Sequence, residues 1–156
     1  MKNIMAVFLL LTSVMFSCIS NAEAEIESWY LSKGGEYLVR ESIDGSLHSL
    51  LSTSKAGNVT VYMFMFDTSC KDENSDVINH NPLYVNNTLV RFSQYCDGER
   101  RYFYPSSDAG RNHMINEFIK KDFVEVKAHD NSYTKLFSAK GFTKIYNEMK
   151  LKSEAI

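Results

Sequence analysis

The sequence lacks the short motifs that carry a known catalytic mechanism. It contains no glycine-rich phosphate loop, no pair of histidines at the spacing of a helical metal site, no nucleophile elbow and no two-cysteine zinc knuckle. Its four histidines, His48, His80, His113 and His129, are scattered along the chain, so no metal site of the usual ligand type is predicted. These absences lower the expectation of an enzyme, and no cofactor is expected.

Charge of one sign is also scarce. The chain has 17 Lys and Arg residues against 19 Asp and Glu residues, a net charge of −2. Because nucleic-acid-binding proteins normally present a basic face, nucleic acid is not an expected partner. Asp67, Asp72, Glu73 and Asp76 form an acidic stretch whose spacing differs from that of a calcium loop, which favours a solvated loop.

No hydrophobic run is long enough to cross a membrane. The apolar run of residues 4–16 stops well short of the roughly 20 residues that a spanning helix needs. Lys2 precedes it, and the small residues Ala22 and Ala24 follow it, which is the pattern of a cleavable export signal. We therefore predict a signal peptide over residues 1–24 and a single exported domain over residues 25–156.

Cysteines are few. If Cys18 is removed with the signal, only Cys70 and Cys96 remain, and an even number in an exported chain predicts a disulfide between them. A catalytic thiol at Cys70 with His80 nearby is the alternative, without a local signature to support it. A second alternative concerns Cys18, because residues 15–18 resemble a bacterial lipoprotein cleavage box, which would anchor the protein by a lipid.

Turn signals recur at short intervals, which is typical of hairpins. They lie at residues 34–35, 44–45, 56–58, 79–82, 97–98 and 130–131. The segments between them are rich in β-branched and aromatic residues and are predicted strands. These segments are residues 27–31, 36–41, 47–52, 59–66, 88–95, 101–104, 123–127 and 133–138. Residues 59–66 are apolar at almost every position, which predicts a central strand covered on both faces.

Two segments have helical periodicity instead. Residues 106–108 offer N-caps for a first helix, and a second helix is predicted near the C-terminus. Their apolar stripes are Met114, Ile115, Phe118 and Ile119 in the first and Phe142, Ile145, Tyr146 and Met149 in the second. Short helices draw most of their stability from packing, so both stripes should face the sheet. The predicted fold is mainly β with two short helices, an antiparallel, sandwich-like single domain.

The segment of residues 99–104 combines arginine and aromatic residues in a predicted strand. Alternation places Arg101 and Phe103 on one face and Arg100, Tyr102 and Tyr104 on the other. Arginine and tyrosine on an exposed sheet face are typical of protein-binding surfaces, whereas an ordinary aromatic strand face is the alternative. The aromatic pair at residues 29–30 poses the same choice. The candidate partner-binding residues are Arg100, Arg101, Tyr102, Tyr104, Trp29 and Tyr30.

The C-terminal third of the predicted mature chain contains an ordered series of segments. An amphipathic helix at residues 114–119 is followed by an alternating strand at residues 123–126, and residues 136–142 then lead into a terminal helix. With Phe137-Ser138 before Gly141-Phe142, this series resembles the invasion-associated locus B family of small exported bacterial proteins. Members of that family as a group contain more cysteines than this chain. The resemblance implies a compact β-sandwich-like periplasmic domain without enzymatic activity, and it implies no catalytic residues.

Export, small size, a predicted disulfide and the missing catalytic motifs favour an interaction module. Such a module would bind another envelope or secreted macromolecule, as accessory, inhibitor or immunity proteins do, in the periplasm or alternatively in the medium. Two other functions stay open: a small envelope hydrolase with a site assembled from residues such as Asp67, His80 and His113, and a mobile-element or phage-exclusion factor. A hydrolase should have a concave pocket with convergent titratable groups, and an interaction module should have an aromatic and arginine surface.

Overall fold

The computed structural model describes residues 28–71 and 75–154. The predicted signal peptide, Cys18 and the acidic residues Asp72 and Glu73 lie outside the described residues. The strands are β1 (Tyr30–Leu31), β2 (Tyr37–Arg40), β3 (His48–Thr53), β4 (Val59–Phe66), β5 (Ile78–Val85), β6 (Thr88–Asp97), β7 (Arg100–Pro105), β8 (Phe123–Ala128) and β9 (Thr134–Ser138), and the helices are α1 (Asp108–Lys120) and α2 (Phe142–Glu154). In this part of the chain, no helix is long and apolar enough to span a membrane.

All the described strands belong to one sheet. Their order is β1-β2-β3-β4-β7-β6-β5-β8-β9, and each neighbouring pair is antiparallel. The sheet curls until the segment after β2 reaches β9, where the Ser42 amide donates to the Leu136 carbonyl at 2.8 Å. The prediction of a mainly β, antiparallel domain with two helices is confirmed. The described strands form one curled sheet, and the sandwich-like arrangement stays a prediction.

Both helices pack on the inner face of the sheet. Met114 and Phe118 of α1 and Phe142 of α2 are fully buried in one cluster with inward-facing strand residues such as Val61 and Met63. The Ser107 side chain caps α1 by accepting from the Gly110 amide at 3.1 Å, as the N-cap signal predicts. The inner face of the curl is therefore the main hydrophobic core.

Trp29 belongs to that core. Its ring centroid lies 5.4 Å from that of Phe118 and 5.1 Å from that of Phe142, and only 6% of the residue is exposed. Its amide donates to the Lys140 carbonyl at 3.0 Å, which ties the start of the described chain to the segment between β9 and α2. Trp29 is therefore out of a partner's reach, whereas its neighbour Tyr30 is exposed in β1.

The prediction of a turn at residues 79–82 is wrong. These residues lie inside β5, which pairs with β6 on one side and β8 on the other. The pairing with β6 shifts register between His80 and Leu83, so Pro82 sits in a bulge. A proline without an N–H is tolerated at such a position because the bulge leaves it outside the ladder of hydrogen bonds. Each of the other predicted turns contains residues in a turn or bend, although Asp97 is the last residue of β6.

Candidate functional site

The alternation predicted for β7 is present. Phe103 lies in the inner core with the helices, whereas Tyr102 lies in a second buried cluster with Leu38, Leu50 and Phe64. Since side chains alternate along a strand, Arg101 faces inward with Phe103, and Arg100 and Tyr104 face outward with Tyr102. The two neighbouring arginines thus serve opposite faces of one sheet.

An aromatic surface covers the outer side of β4, β6 and β7. Its members, here called the outer aromatic face, are Tyr62, Phe64, Phe66, Tyr95, Tyr102 and Tyr104. The pairing of the three strands places these rings side by side. Tyr95 stacks on Tyr102 with centroids 5.0 Å apart and planes 10° apart, and Tyr62 lies 5.4 Å from Tyr104. Adjacent rings on a sheet stabilise one another, so the surface is held in a fixed shape.

Arg100 covers the middle of the outer aromatic face. Its guanidinium carbon lies 4.5 Å from the centroid of the Phe64 ring, in cation–π contact, and Phe64 is only 1% exposed. Its Nη1 donates to Glu36 at 2.9 Å and to the Tyr102 hydroxyl at 3.3 Å. Arg100 and the buried Tyr102 therefore organise the surface, and other residues are the ones that a partner can reach.

Besides the exposed Phe66, the reachable members of the outer aromatic face are three tyrosines. Tyr62, Tyr95 and Tyr104 are half-buried and line a groove of about 390 Å³, together with Lys55 and Asp97. Burial raises the pKa of both Tyr62 and Tyr95, so their hydroxyls remain protonated. Across residues 28–71 and 75–154, none of the three hydroxyls is hydrogen-bonded to another protein group. The groove thus presents three hydroxyls whose hydrogen-bonding capacity is available.

The predicted disulfide between Cys70 and Cys96 is present. It joins the segment after β4 to β6 with a Cα–Cα distance of 5.3 Å. The same segment holds Asp67, whose carboxylate accepts from the Ser69 amide at 2.8 Å and from Arg101 Nε at 2.7 Å. The Ser69 hydroxyl, followed by Arg101, lowers the pKa of Asp67 to about 2. The sulfur of Cys70 is bonded to that of Cys96 and is not a free thiol in this structure.

The residues proposed for a hydrolase are each engaged with a different group. His80 lies near the start of β5 with its ring 5.0 Å from that of Phe103, whereas His113 on α1 contacts the carbonyl of Val85, the last residue of β5. Asp67 is engaged by Arg101. In the described ranges, no group of three or more His, Cys, Asp or Glu side chains is arranged to hold a metal ion.

Sequence reasoning missed Tyr62 and Tyr95 as surface residues. Tyr62 lies within the apolar run of β4, and its neighbours predict a strand covered on both faces. Tyr95 lies beside Cys96 at the end of a predicted strand. Both residues could be identified as surface residues if they were known to lie on the same face of the sheet as Tyr104. That assignment requires the pairing register of β4, β7 and β6, which local sequence does not provide.

Comparison with known proteins adds no relative. No protein-family model, no curated protein and no solved structure matches this chain.

Proposed function

We propose that this protein is an exported, non-enzymatic interaction module that binds a partner protein through its outer aromatic face. The observation that carries this proposal is the groove of Tyr62, Tyr95 and Tyr104, with three available hydroxyls on a sheet face opposite the one that packs the helices. Tyrosine combines a large apolar ring with a polar end, and it is enriched among the residues that dominate binding energy at protein interfaces.

The stacking beneath the groove supports binding without rearrangement. Tyr95 rests on Tyr102, and Tyr102 is held by the hydrogen bond from Arg100. Side chains that are already ordered lose little conformational entropy when a partner binds. Lys55 and Asp97 in the lining add one cation and one anion, so the groove suits a surface of mixed polarity rather than a purely apolar one.

The cellular setting of the proposal comes from the predicted signal peptide. An intramolecular disulfide persists in oxidising compartments, which fits the periplasm and equally the medium outside the cell. The partner is then another envelope or secreted protein, and the module acts as an accessory, inhibitor or immunity protein toward it.

Affinity capture with a hydroxyl-deleted variant tests the proposal. Tagged protein is recovered from chemically crosslinked producing cells, and the captured proteins are identified by mass spectrometry. The variant replaces Tyr62, Tyr95 and Tyr104 by Phe, which keeps the rings and removes the hydrogen bonds. Each lost hydrogen bond weakens binding by about 0.5–1.5 kcal/mol, so a stoichiometric partner should be recovered at least about tenfold less.

Tyr133→Phe is the matched control. Tyr133 is 38% exposed and borders a cavity on the inner side of the sheet, so its loss of a hydroxyl should leave capture unchanged. Thermal unfolding of each variant establishes that it is folded. Equal recovery of the partner by the triple variant, or recovery of a polysaccharide and no protein, would contradict the proposal.

A further inference from the structure

A second concave site lies on the inner side of the sheet. It encloses about 480 Å³ and is lined by residues of strands and connecting segments, with none from α1 or α2. This volume is within the range of about 300–1,000 Å³ that small-molecule sites occupy, and the mouth of a curled sheet is a common place for them.

The cavity wall is mostly apolar. Leu47, Met63, Leu83 and Phe103 contribute nearly buried side chains, and Met65 adds a partly exposed one. Unbranched methionine side chains adapt to the shape of what they contact. Such a wall favours a ligand with a flexible hydrocarbon part.

The charged residues in the lining are of one sign. Arg101 and Lys135 line the cavity together with the imidazole of His80, and no acidic side chain of the described chain does. The acids that pair with these cations, Asp67 with Arg101 and both Asp44 and Glu41 with Lys135, lie outside the lining. A ligand in the cavity therefore meets the positive partner of each ion pair, which favours an anion.

Arg101 is the better placed of the two cations. The Lys135 ammonium donates to both carboxylate oxygens of Asp44 at 2.6 Å and to the Ser46 hydroxyl at 2.8 Å, which uses its three N–H groups. Arg101 donates from Nε to Asp67 and from Nη2 to Ser69, and Nη1 has no partner among the described residues. The pair with Asp67 thus orients the guanidinium and leaves donors for a ligand.

From these observations we propose that the cavity binds a single-chain alkyl carboxylate as a free molecule. The hydrocarbon chain packs against Met63, Met65 and Phe103, and the carboxylate accepts hydrogen bonds from Arg101 Nη1 and from the Gln94 side-chain amide, which also lines the cavity. This site is separate from the outer aromatic face, so the failure of one proposal leaves the other standing.

Calorimetric titration of the exported, signal-cleaved and disulfide-bonded protein with the series from octanoate to hexadecanoate tests this proposal. Each ligand is kept below its micelle concentration. We expect saturable binding that tightens about fourfold for each added CH₂, until the chain outgrows the cavity. Dodecyltrimethylammonium, which has the same chain and the opposite charge, should bind at least about tenfold more weakly than dodecanoate, since hydrogen bonds to a charged group are lost.

Two variants and a control locate the ligand. Arg101→Gln should weaken dodecanoate binding at least about tenfold, whereas Arg100→Gln, one residue away on the outer face, should not change it. Met65→Trp, at the position that pairs with Arg101 between β4 and β7, fills the cavity beside the guanidinium and should abolish binding. Unchanged affinity in Arg101→Gln and Met65→Trp, or no saturable binding of any chain length, would overturn the proposal. Binding only to anionic vesicles, equal in wild type and Met65→Trp, would show bilayer adsorption and overturn it as well.

Discussion

Loss of the disulfide should cost a predictable part of the stability. Cys70 and Cys96 are separated by 26 residues in sequence. In the chain-entropy description, a loop of this size restricts the unfolded chain enough to stabilise the folded state by about 3.5 kcal/mol. With a urea m value of about 2 kcal/mol/M, the unfolding midpoint should fall by about 1.5–2 M on reduction.

Trp29 provides the signal for this measurement. It is the only tryptophan and is packed between Phe118 and Phe142, so its fluorescence reports global unfolding. Urea curves of oxidised protein, reduced protein and a Cys70→Ala/Cys96→Ala variant are compared. The reduced protein shows the effect of losing the crosslink alone. The variant should lose slightly more stability than the reduced protein, because Cys70 is buried and its truncation leaves a small cavity. A midpoint shift below about 0.5 M in the reduced protein would refute the entropic reasoning.

Three further predictions concern single residues. Gly110→Ala should lower the melting temperature, because the new Cβ would lie 2.7 Å from Val90 Cγ1 and such crowding costs about 1–3 kcal/mol. This cost exceeds the gain of about 1 kcal/mol that helix propensity alone gives to Ala. A raised melting temperature would show that α1 has room for the methyl group. Glu41→Gln should destabilise by about 2 kcal/mol in urea titrations, because the buried carboxylate accepts from the amides of residues 43, 44 and 46, and an unchanged midpoint would contradict this role. Asp67 stabilises the fold at pH values above its unfolded pKa of about 3.9, and this contribution disappears as the pH falls through the folded pKa of about 2. The stability difference between wild type and Asp67→Asn, measured by urea unfolding, should therefore shrink between pH 4 and pH 2, and a constant difference would argue against the Arg101 pairing.

Much of the fold follows from local patterns. One side of β8 and one side of α1 are buried, so the sequence pattern shows which face of each element meets the core. In β8 the pattern is the alternation of residues 123–127, and in α1 it is the helical stripe that includes Met114 and Phe118. Strand β5 was not predicted, because residues 79–82 have the composition of a turn and a proline is rare inside a sheet. The bulge that accommodates Pro82 depends on pairing with β6, so it has no local signature.

The candidate sites are less visible in the sequence. Alternation separates Arg100 from Arg101, but it cannot show that Trp29 is buried against two phenylalanine rings while Tyr62 reaches the surface. Both outcomes depend on how the sheet curls around the helices. The inner cavity has the same origin, because its lining comes from strands that are distant in sequence. The resemblance to the invasion-associated locus B family stays a prediction, although the residues that carry it form α1, β8, β9 and α2 in the expected order.

Site-specific photocrosslinking in producing cells tests the central claim most directly. A benzophenone amino acid replaces Tyr104 in the outer groove or Tyr133 beside the inner cavity, so that an aromatic residue is exchanged for an aromatic residue in both cases. The proposed function predicts that irradiation yields one discrete adduct with a single protein from position 104 and none from position 133. An adduct at position 133 alone, or no adduct at position 104 in folded, exported protein, would contradict binding through the outer aromatic face.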